Sequence, residues 1–350
     1  MFIAMVWGDV MFSSFYRNRF NINHSLYNVP NFYMNYYYFG QKKMGNLIGP
    51  NGANSGSFNK KDSFLKCFSE SLERMGMFEN TDANGDLIVY DVIDKKTKRI
   101  KKSRLGFNLD FKKFSDTTGT ASSLSSDQLC KKAVTELIEK NALFLFWYGN
   151  EVKKVPNKYA ENLISVNSIL EKGSLQYDLY CVDFGLVHTI ISIVREKNGH
   201  FYSAGVSGDI FFKNAIKNSL EEAITLGWAD HTRHDINENI FPADYWIDSD
   251  NSLKFLDKKE KTEYLYNGGD SDKNFQELLD SFPKWITSIW ISILPSASSY
   301  SRLTTILAYS IDLYNGVPGK EEVNLEKQIN KKTLNLNAKE LQKIPSIIIR

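Results

Sequence analysis

Residues 132–142 read Lys-Ala-Val-Thr-Glu-Leu-Ile-Glu-Lys-Asn-Ala, and this stretch decides the interpretation of the chain. Glu136 and Glu139 are three residues apart, so on an α-helix their side chains project from neighbouring positions. Residues 125–127, Ser-Ser-Asp, can cap such a helix at its start, and the pattern predicts that it runs to about Tyr148. The segment therefore predicts a long helix that carries two adjacent carboxylates.

The face of this helix that carries Glu136 and Glu139 is not uniformly polar. Leu143 and Phe146 fall close to the two glutamates, while the main apolar stripe lies elsewhere. A helix that is apolar nearly all round is normally buried, and a buried carboxylate needs a cation or hydrogen-bond donors. Spacing alone also fits a solvated surface pair, so both interpretations stay open at this point.

An earlier segment repeats the spacing, with Glu70 and Glu73 followed directly by Arg74. The apolar residues of this segment form a stripe roughly opposite the two glutamates, as they would for a solvated pair, so this helix alone does not distinguish a surface pair from a binding site. The second pair is likewise followed by a cation, Lys140. Four carboxylates that converge from two helices would suit Mg²⁺, which takes oxygen ligands and commonly bridges to phosphate.

A third predicted helix contains Glu221 and Glu222. Glu222 lies beside the apolar stripe of that helix and Glu221 lies further from it. The pattern places both side chains at the surface or half-buried.

Three segments of the chain resemble the YcaO-domain family. Residues 117–123 and the helix ending in Phe146-Trp147-Tyr148 are similar to its central signature, in which a small-residue stretch precedes an E-x-x-E-R helix. Residues 68–74 resemble its earlier E-x-x-E-R helix, and residues 203–222 its later helix, which a glycine precedes. The segments occur in the family's order over about residues 55–228, so the resemblance is more specific than any one motif.

The resemblance implies an α+β fold in which mixed sheets and hairpins surround an ATP pocket lined by helix carboxylates. It implies that helix glutamates bind Mg²⁺ and ATP, that basic side chains neutralise phosphate charge, and that one further glutamate shares the pocket. The implied metal ligands are Glu70, Glu73, Glu136 and Glu139, the implied phosphate partners are Lys66, Arg74 and Lys140, and the further glutamate is Glu222. The chain has no GxxxxGK[ST] motif, so ordinary P-loop ATP binding is not expected.

The activity implied by the resemblance is ATP- and Mg²⁺-dependent modification of a peptide backbone. Relatives that form azolines cyclodehydrate Cys, Ser or Thr of a ribosomal precursor peptide to thiazoline or oxazoline, in pathways of the bacteriocin type. The chain shows no obvious leader-binding module, so a separate leader-recognition or E1-like partner is implied, and a homodimer is compatible with the resemblance. Two alternatives stay open: thioamide or amidine formation by an enzyme of the same family, and a non-catalytic scaffold that binds a leader peptide or partner.

Several positions depart from the family pattern. Thr118 occupies the place of an asparagine, Lys140 that of an arginine, Lys66 that of a serine, and Thr225 that of a glutamine. Lysine offers a point charge without the bidentate fork of arginine. Azoline-forming relatives often end in a proline-rich tail, whereas residues 344–350 contain a single proline, so the tail does not distinguish azoline from thioamide chemistry.

Composition places few further limits on function. The 350 residues suffice for one large domain or two medium ones, and we expect an aromatic-rich N-terminal region at 1–48 and a catalytic domain at 49–350. A net charge of +2 gives no reason to expect a nucleic-acid partner. No apolar run is long enough to span a membrane, and three widely spaced cysteines are typical of a reducing compartment. A cytoplasmic location is therefore expected.

Local patterns predict the remaining elements in outline. Helices and hairpins alternate without a regular βαβ period, which favours α+β over a doubly wound sheet. We expect a glycine-containing loop at 49–57, helices at 62–78 and 212–228, a hairpin of 86–94 with 98–109, and strands at 177–183, 187–196, 200–205 and 304–313.

The histidine patterns of the chain do not predict a metal site. His231 and His234 form an HxxH motif, but the surrounding sequence is typical of a loop and supplies no convincing third ligand. His188 lies in an apolar strand and is interpreted as a histidine satisfied within the core. Asp183 precedes Phe184-Gly185 as in a kinase triplet, but no other kinase motif accompanies it.

Overall fold

A computed structural model of the chain describes residues 12–16, 32–38, 43–44, 47–48, 52–80, 85–105, 116–236, 245–294 and 303–349. Most of the aromatic-rich region 1–48 therefore lies outside the described residues. Within the described ranges, no helix combines the length and the apolar composition that are needed to cross a bilayer.

Helices and strands alternate irregularly along the chain, as expected for an α+β fold. The strands are β1 (Phe12–Tyr16), β2 (Tyr33–Tyr38), β3 (Lys43–Met44), β4 (Leu47–Ile48), β5 (Gly52–Ser57), β6 (Asp86–Asp91), β7 (Lys96–Lys101), β8 (Thr120–Ser123), β9 (Glu151–Val155), β10 (Leu175–Phe184), β11 (Val187–Glu196), β12 (Phe201–Asp209), β13 (Glu260–Glu263), β14 (Trp290–Ile293) and β15 (Thr304–Tyr309). The helices are α1 (Lys60–Asn80), α2 (Ser126–Tyr148), α3 (Ile164–Lys172), α4 (Phe212–Ile236), α5 (Tyr245–Asp257), α6 (Phe275–Asp280), α7 (Gln328–Lys332) and α8 (Ala338–Lys343).

Two larger sheets and two smaller ones are formed by the described strands. One larger sheet has the order β12-β11-β10-β9-β13, and the other has the order β7-β6-β14-β15-β8. β1, β2 and β5 form a third sheet, and β3 pairs with β4. Neighbouring strands are antiparallel except β13, which pairs with β9 in parallel. This mixed arrangement agrees with the predicted fold class.

Helix α2 lies between the two larger sheets, which explains why it is apolar nearly all round. Leu137 and Phe146 on this helix share one hydrophobic core with Ile191 of the first larger sheet and Ile306 of the second. Contact with a sheet on each side leaves few positions of α2 facing solvent. The near-continuous burial predicted from the sequence is confirmed.

Buried polar contacts fix α2 at its centre and at its end. Asn141 donates to the carbonyls of Leu137 and Tyr314 at 2.7 and 2.9 Å, and its Oδ1 accepts the Tyr314 N–H at 2.8 Å. Beyond the last turn, Lys259 Nζ donates to the carbonyls of Phe146, Trp147 and Gly149. A cation at this position satisfies carbonyls that have no partner within the helix and complements the helix dipole.

Some predicted elements differ from the observed ones. The segment predicted as a glycine loop contains strand β5. Its residues have low strand propensity, but they pair in register with β2. The second strand of the hairpin is shorter than predicted and ends at Lys101, and the strand predicted at 304–313 ends at Tyr309. The strand predicted at 200–205 continues to Asp209. Helix α4 continues to Ile236, so the HxxH histidines lie in a helix and not in a loop.

Helix α4 packs closely on β11 and β12, and Gly205 makes this approach possible. A Cβ atom at residue 205 would lie 2.1 Å from the Ser219 carbonyl oxygen and 2.5 Å from the Ala223 nitrogen. Both atoms belong to the α4 backbone, so neither can move without moving the helix. Ser192 adds a buried link, because its hydroxyl donates to the Ser219 carbonyl at 2.8 Å.

We predict that Gly205→Ala lowers the free energy of unfolding by at least about 2 kcal/mol, because the added methyl group must displace α4 from the sheet. Urea denaturation followed by circular dichroism measures this change. Ala204→Ser serves as the control, because it changes the neighbouring residue with little added volume. Gly199→Ala is less suitable, because Gly199 has a positive φ. Equal stability of Gly205→Ala and the wild type would contradict the close packing.

Candidate functional site

A cavity of about 1400 Å³ lies where α1, α2, α4 and β12 meet. All eight residues that the sequence singled out line its walls. They are Lys66, Glu70, Glu73 and Arg74 on α1, Glu136, Glu139 and Lys140 on α2, and Glu222 on α4. Residues that are far apart in the chain thus form one site.

Helix α1 presents its polar face to this cavity. Glu73 is only 6 % exposed, and Arg74 donates to Glu70 at 2.5 Å and to the Gly52 carbonyl at 2.8 Å. The structure thus buries Glu73, whereas the side chain of Glu70 is 33 % exposed and paired with Arg74. The apolar stripe of α1 packs on the β2–β5 sheet, so its opposite face meets α2 and α4.

Helix α2 contributes the most tightly held carboxylate. Glu139 is 9 % exposed, its Oε2 accepts the Gly208 N–H at 2.8 Å, and its Oε1 lies 2.8 Å from Lys140 Nζ. Glu136 is half-buried one turn earlier. Lys132 reaches across to α1, where its Nζ lies 3.6 Å from Glu73 Oε1. The interpretation of Glu136 and Glu139 as solvated surface residues is excluded.

Helix α4 adds two further glutamates. Glu222 Oε2 accepts the Val206 N–H at 2.7 Å, which fixes this side chain against β12. Glu221 is only 2 % exposed, so its predicted place at the surface or half-buried was wrong. Its Oε2 lies 3.5 Å from Lys66 Nζ, and this contact joins α4 to α1.

Crowding of carboxylates in the cavity changes their acidity. Burial, with repulsion from Glu73 and Glu139, raises the pKa of Glu136 well above its ordinary value. Burial also raises the pKa of Glu222 to about 7, although the positive charge of Lys140 opposes this change. Desolvation raises the pKa of Glu70 as well, against the opposing charge of Arg74. The negative charge assembled here is thus incompletely neutralised by the protein.

The pKa values of two lysines in the cavity are raised as well, which favours their charged form. Burial alone would lower the pKa of Lys140, but Glu139, Glu222 and Glu136 raise it above its ordinary value. The charge of Glu73 likewise raises the pKa of Lys132. Both lysines therefore stay charged at neutral pH and can meet an anion.

Two buried carboxylate oxygens in the cavity lack hydrogen bonds. Among the described residues, neither Glu73 Oε1 nor Glu221 Oε1 has a hydrogen-bond partner. The closest cations recorded for them are Lys132 Nζ at 3.6 Å and Lys217 Nζ at 3.8 Å, both beyond hydrogen-bonding distance. A buried oxygen of this kind is costly unless something binds it. These two oxygens and the neighbouring glutamates are the kind of oxygen ligands that a hard divalent cation requires.

The positions that depart from the family pattern lie in the same cavity. Thr118 and Thr225 line it, and the Thr225 hydroxyl donates to the Glu221 carbonyl at 2.8 Å. Residues 347–349, which follow Pro345 in the sequence, also line the cavity. Pro345 is held by Trp147, whose Nε1–H donates to its carbonyl at 3.0 Å.

Sequence reasoning missed two residues of the site, Lys132 and Glu221. Lys132 lies one helical turn before Glu136, so its i,i+4 spacing could have suggested a shared face. Glu221 carried no such signal, because its burial results from the packing of α4 against α1.

Several solved structures share the architecture of this chain. YcaO from Methanopyrus kandleri bound with AMPPCP and Mg²⁺ matches with a TM-score of 0.63 and 10 % identity, over 89 % of this chain and 88 % of that chain. The chain has the YcaO fold. The E. coli microcin synthetase McbBCD complex shares this fold with a TM-score of 0.62 and 14 % identity, over 80 % of this chain and 85 % of that chain.

A heterocyclase in complex with substrate and cofactor has the YcaO fold as well. Its TM-score is 0.61 at 10 % identity, and the match covers 82 % of this chain but 49 % of that chain. No protein-family model matches the sequence, and a comparison with curated proteins finds no match. The likeness to known proteins is therefore one of structure, and it confirms the YcaO-like fold predicted from the three segments.

Proposed function

We propose that this chain is a member of the YcaO family that uses ATP and Mg²⁺ to modify the backbone of a peptide, with residues 49–350 as its catalytic domain. The observation that supports this proposal best is the convergence of six glutamates from α1, α2 and α4 on one cavity, two of which have a buried oxygen without a hydrogen bond. The M. kandleri protein of the same fold is bound with AMPPCP and Mg²⁺.

The donor set fits magnesium and phosphate. Carboxylate oxygens are the ligands that Mg²⁺ takes, and it commonly binds phosphates at the same time. Glu70, Glu73, Glu136 and Glu139 would hold the metal, with Glu221 as an added ligand. A divalent cation would stabilise carboxylates this close together, because it offsets the repulsion between their charges.

The remaining cavity residues would bind and orient the nucleotide. Arg74, Lys132, Lys140 and Lys66 place positive charge where phosphate oxygens need it. Gly208 and Val206 hold Glu139 and Glu222 through backbone N–H groups, so these carboxylates are positioned before any ligand binds.

The reaction we propose is cyclodehydration of Cys, Ser or Thr to thiazoline or oxazoline. The substrate side chain would add to the preceding amide carbonyl. ATP, bound with magnesium, would supply a phosphoryl group to the amide oxygen, and this oxygen would then leave as phosphate. Arg74, Lys132 and Lys140 would stabilise the charge that develops on the phosphoryl oxygens.

The substrate would be a ribosomal precursor peptide of the bacteriocin type, presented by a separate leader-recognition or E1-like partner. Two solved proteins of this fold support such partners, namely the McbBCD synthetase complex and the heterocyclase in complex with substrate. We place the reaction in the cytoplasm, where ATP is available and thiols such as Cys67 and Cys181 stay reduced.

A test follows phosphate release and product mass together. The purified chain, candidate precursor and partner are incubated with Mg²⁺ and ATP. We expect one phosphate released for each molecule of water lost from the peptide. Phosphate release without loss of water would favour thioamide or amidine chemistry, and no ATP consumption with the complete set of components would favour a scaffold.

Magnesium binding should depend on pH through Glu222. Its pKa of about 7 lies above the ordinary 4.5, so the metal-free folded protein holds an extra proton in this interval and loses stability as the pH rises from about 4.5 to about 7. Mg²⁺ must displace that proton. We predict that the rise in melting temperature caused by Mg²⁺ is small at about pH 6 and larger at about pH 8, as measured by thermal denaturation.

Glu222→Gln removes one titrating group and should weaken this pH dependence, while the part due to Glu136 remains. Glu171→Gln, on the exposed face of α3, serves as the matched control and should leave it unchanged. A Mg²⁺ effect that is the same at both pH values in the wild type would contradict a coupling between metal binding and the protonation of Glu222.

A further inference from the structure

A second cluster of metal-binding side chains lies outside the carboxylate cavity, at the end of the β10–β11 hairpin. Cys181, Asp183 and His188 place one ligand atom each within 4.8 Å of one another. Cys181 and Asp183 alternate along β10 and so project from the same face, and His188 is the cross-strand partner of Asp183. The hairpin register therefore brings the three side chains together.

The distances are close to those of a metal site. Cys181 Sγ lies 3.5 Å from Asp183 Oδ1, and His188 Nδ1 lies 2.6 Å from the same oxygen. Zinc takes sulfur at about 2.3 Å and nitrogen or oxygen at about 2.0–2.2 Å, which sets tetrahedral ligands about 3.3–3.7 Å apart. Binding would replace the Asp183–His188 hydrogen bond and move these two atoms apart by about 1 Å.

The histidine is oriented from its far side as metal ligands usually are. His188 Nε2 faces Asp270, whose Oδ1 lies 3.6 Å away. Histidines that bind metals commonly direct the other ring nitrogen to a carboxylate, which fixes the tautomer and the ring orientation. Tyr264 completes the surroundings, since its hydroxyl donates to Asp183 Oδ1 at 3.0 Å.

The donor types select a different metal from the one proposed for the glutamate cavity. Thiolate and imidazole favour zinc over Mg²⁺, which prefers oxygen ligands. One thiolate and one carboxylate neutralise the charge of Zn²⁺, and binding releases two protons to solvent, one from the Cys181 thiol and one from the His188 Nδ1–H that faces Asp183. Cys181 is 1 % exposed, whereas the side chains of Asp183 and His188 reach the surface and provide a path of entry.

We infer that Cys181, Asp183 and His188 form a zinc site, with water as the fourth ligand and Asp270 as the group that positions His188. Asp270 also accepts the N–H of Phe212, the first residue of α4, at 2.8 Å. The site thus links the β10–β11 hairpin to the start of the helix that carries Glu221 and Glu222. The sequence interpretation of His188 as a satisfied histidine agrees with its two carboxylate contacts, although it lies at the edge of the core.

The decisive experiment loads the purified full chain with Zn²⁺, removes weakly bound metal by dialysis against excess Mg²⁺, and counts the zinc that remains. We expect one zinc per chain in the wild type, in Cys130→Ala and in Glu139→Gln, and none in Cys181→Ala. The Glu139→Gln variant separates this site from the glutamate cavity, because it should lose Mg²⁺-dependent nucleotide binding and keep zinc. Equal zinc in Cys181→Ala and the wild type would overturn the proposal.

Cobalt supplies a test that does not depend on the folding of a variant. The wild-type chain loaded with Co²⁺ should show a thiolate-to-metal charge-transfer band, which the carboxylate cavity is not expected to produce because no described residue that lines it is a cysteine. Its absence would show that the three residues form only a hydrogen-bonded cluster.

Asp270→Asn tests the positioning role of the aspartate. This substitution keeps an oxygen that can accept the Phe212 N–H but removes the charge opposite His188. Zinc affinity, measured by competition with a chelator, should fall about 10- to 100-fold. Unchanged affinity would remove Asp270 from the proposed site.

Discussion

Glu139→Gln should reduce ATP turnover by at least about 100-fold while leaving the fold intact. Glutamine keeps an oxygen for the Gly208 N–H, but it removes the charge that pairs with Lys140 and that we propose binds the metal. Phosphate release measures the loss, and circular dichroism with a melting curve verifies the fold.

The matched control is Glu171→Gln, which makes the same chemical change on an exposed face of α3. It should release phosphate at the wild-type rate. Near-wild-type turnover by a folded Glu139→Gln protein would refute the assignment of Glu139 to the nucleotide site.

Glu136→Gln should abolish turnover and at the same time stabilise the metal-free protein. The pKa of Glu136 is raised because its charge is buried and faces Glu73 and Glu139, so ionising it costs folding free energy. A neutral side chain of the same shape avoids this cost. We expect the free energy of unfolding of Glu136→Gln to exceed that of the wild type at alkaline pH, where the wild type must ionise this buried carboxyl.

The gain from Glu136→Gln should have a definite pH dependence. Below the ordinary carboxyl pKa of 4.5, Glu136 is protonated in both the folded and the unfolded state, so the gain should vanish. It should grow as the pH rises from 4.5 towards the raised pKa and then level off. Urea denaturation without divalent cations, at several pH values, tests this. Destabilisation at high pH would show that Glu136 is already well paired in the metal-free protein.

The central helix α2 could be predicted from the sequence because two signals agreed. Its apolar residues surround the helix, and its glutamates lie among them at helical spacing. Burial on both sides by the sheets follows directly from such a pattern. The resemblance of the three segments then indicated which residues would share a site, and the structure brings all of them to one cavity.

The polar face of α1 could not be interpreted in the same way. Periodicity shows which face of a helix is apolar, but it does not distinguish bulk water from a polar internal cavity opposite that face. Glu73 and Glu221 are both buried, Glu73 near Lys132 of α2 and Glu221 near Lys66, which is 155 residues away in the chain. Such contacts leave no local signal.

Strand β5 illustrates a different limit. Its Gly-Ala-Asn-Ser-Gly-Ser sequence has low strand propensity, so a loop was the natural expectation. Small residues are nevertheless required there, because α4 lies against the strand, and a Cβ atom on Gly56 would lie 2.3 Å from the Thr225 hydroxyl. Tertiary packing, and not local preference, determined this element.

Calorimetric titration of ATP into the purified chain, with and without Mg²⁺, measures nucleotide binding at the glutamate cavity directly. We predict that the wild type binds ATP only with Mg²⁺ and that Glu139→Gln does not bind it under either condition. Absence of Mg²⁺-dependent binding by the folded wild type, even with the precursor and partner present, would contradict the proposed nucleotide site.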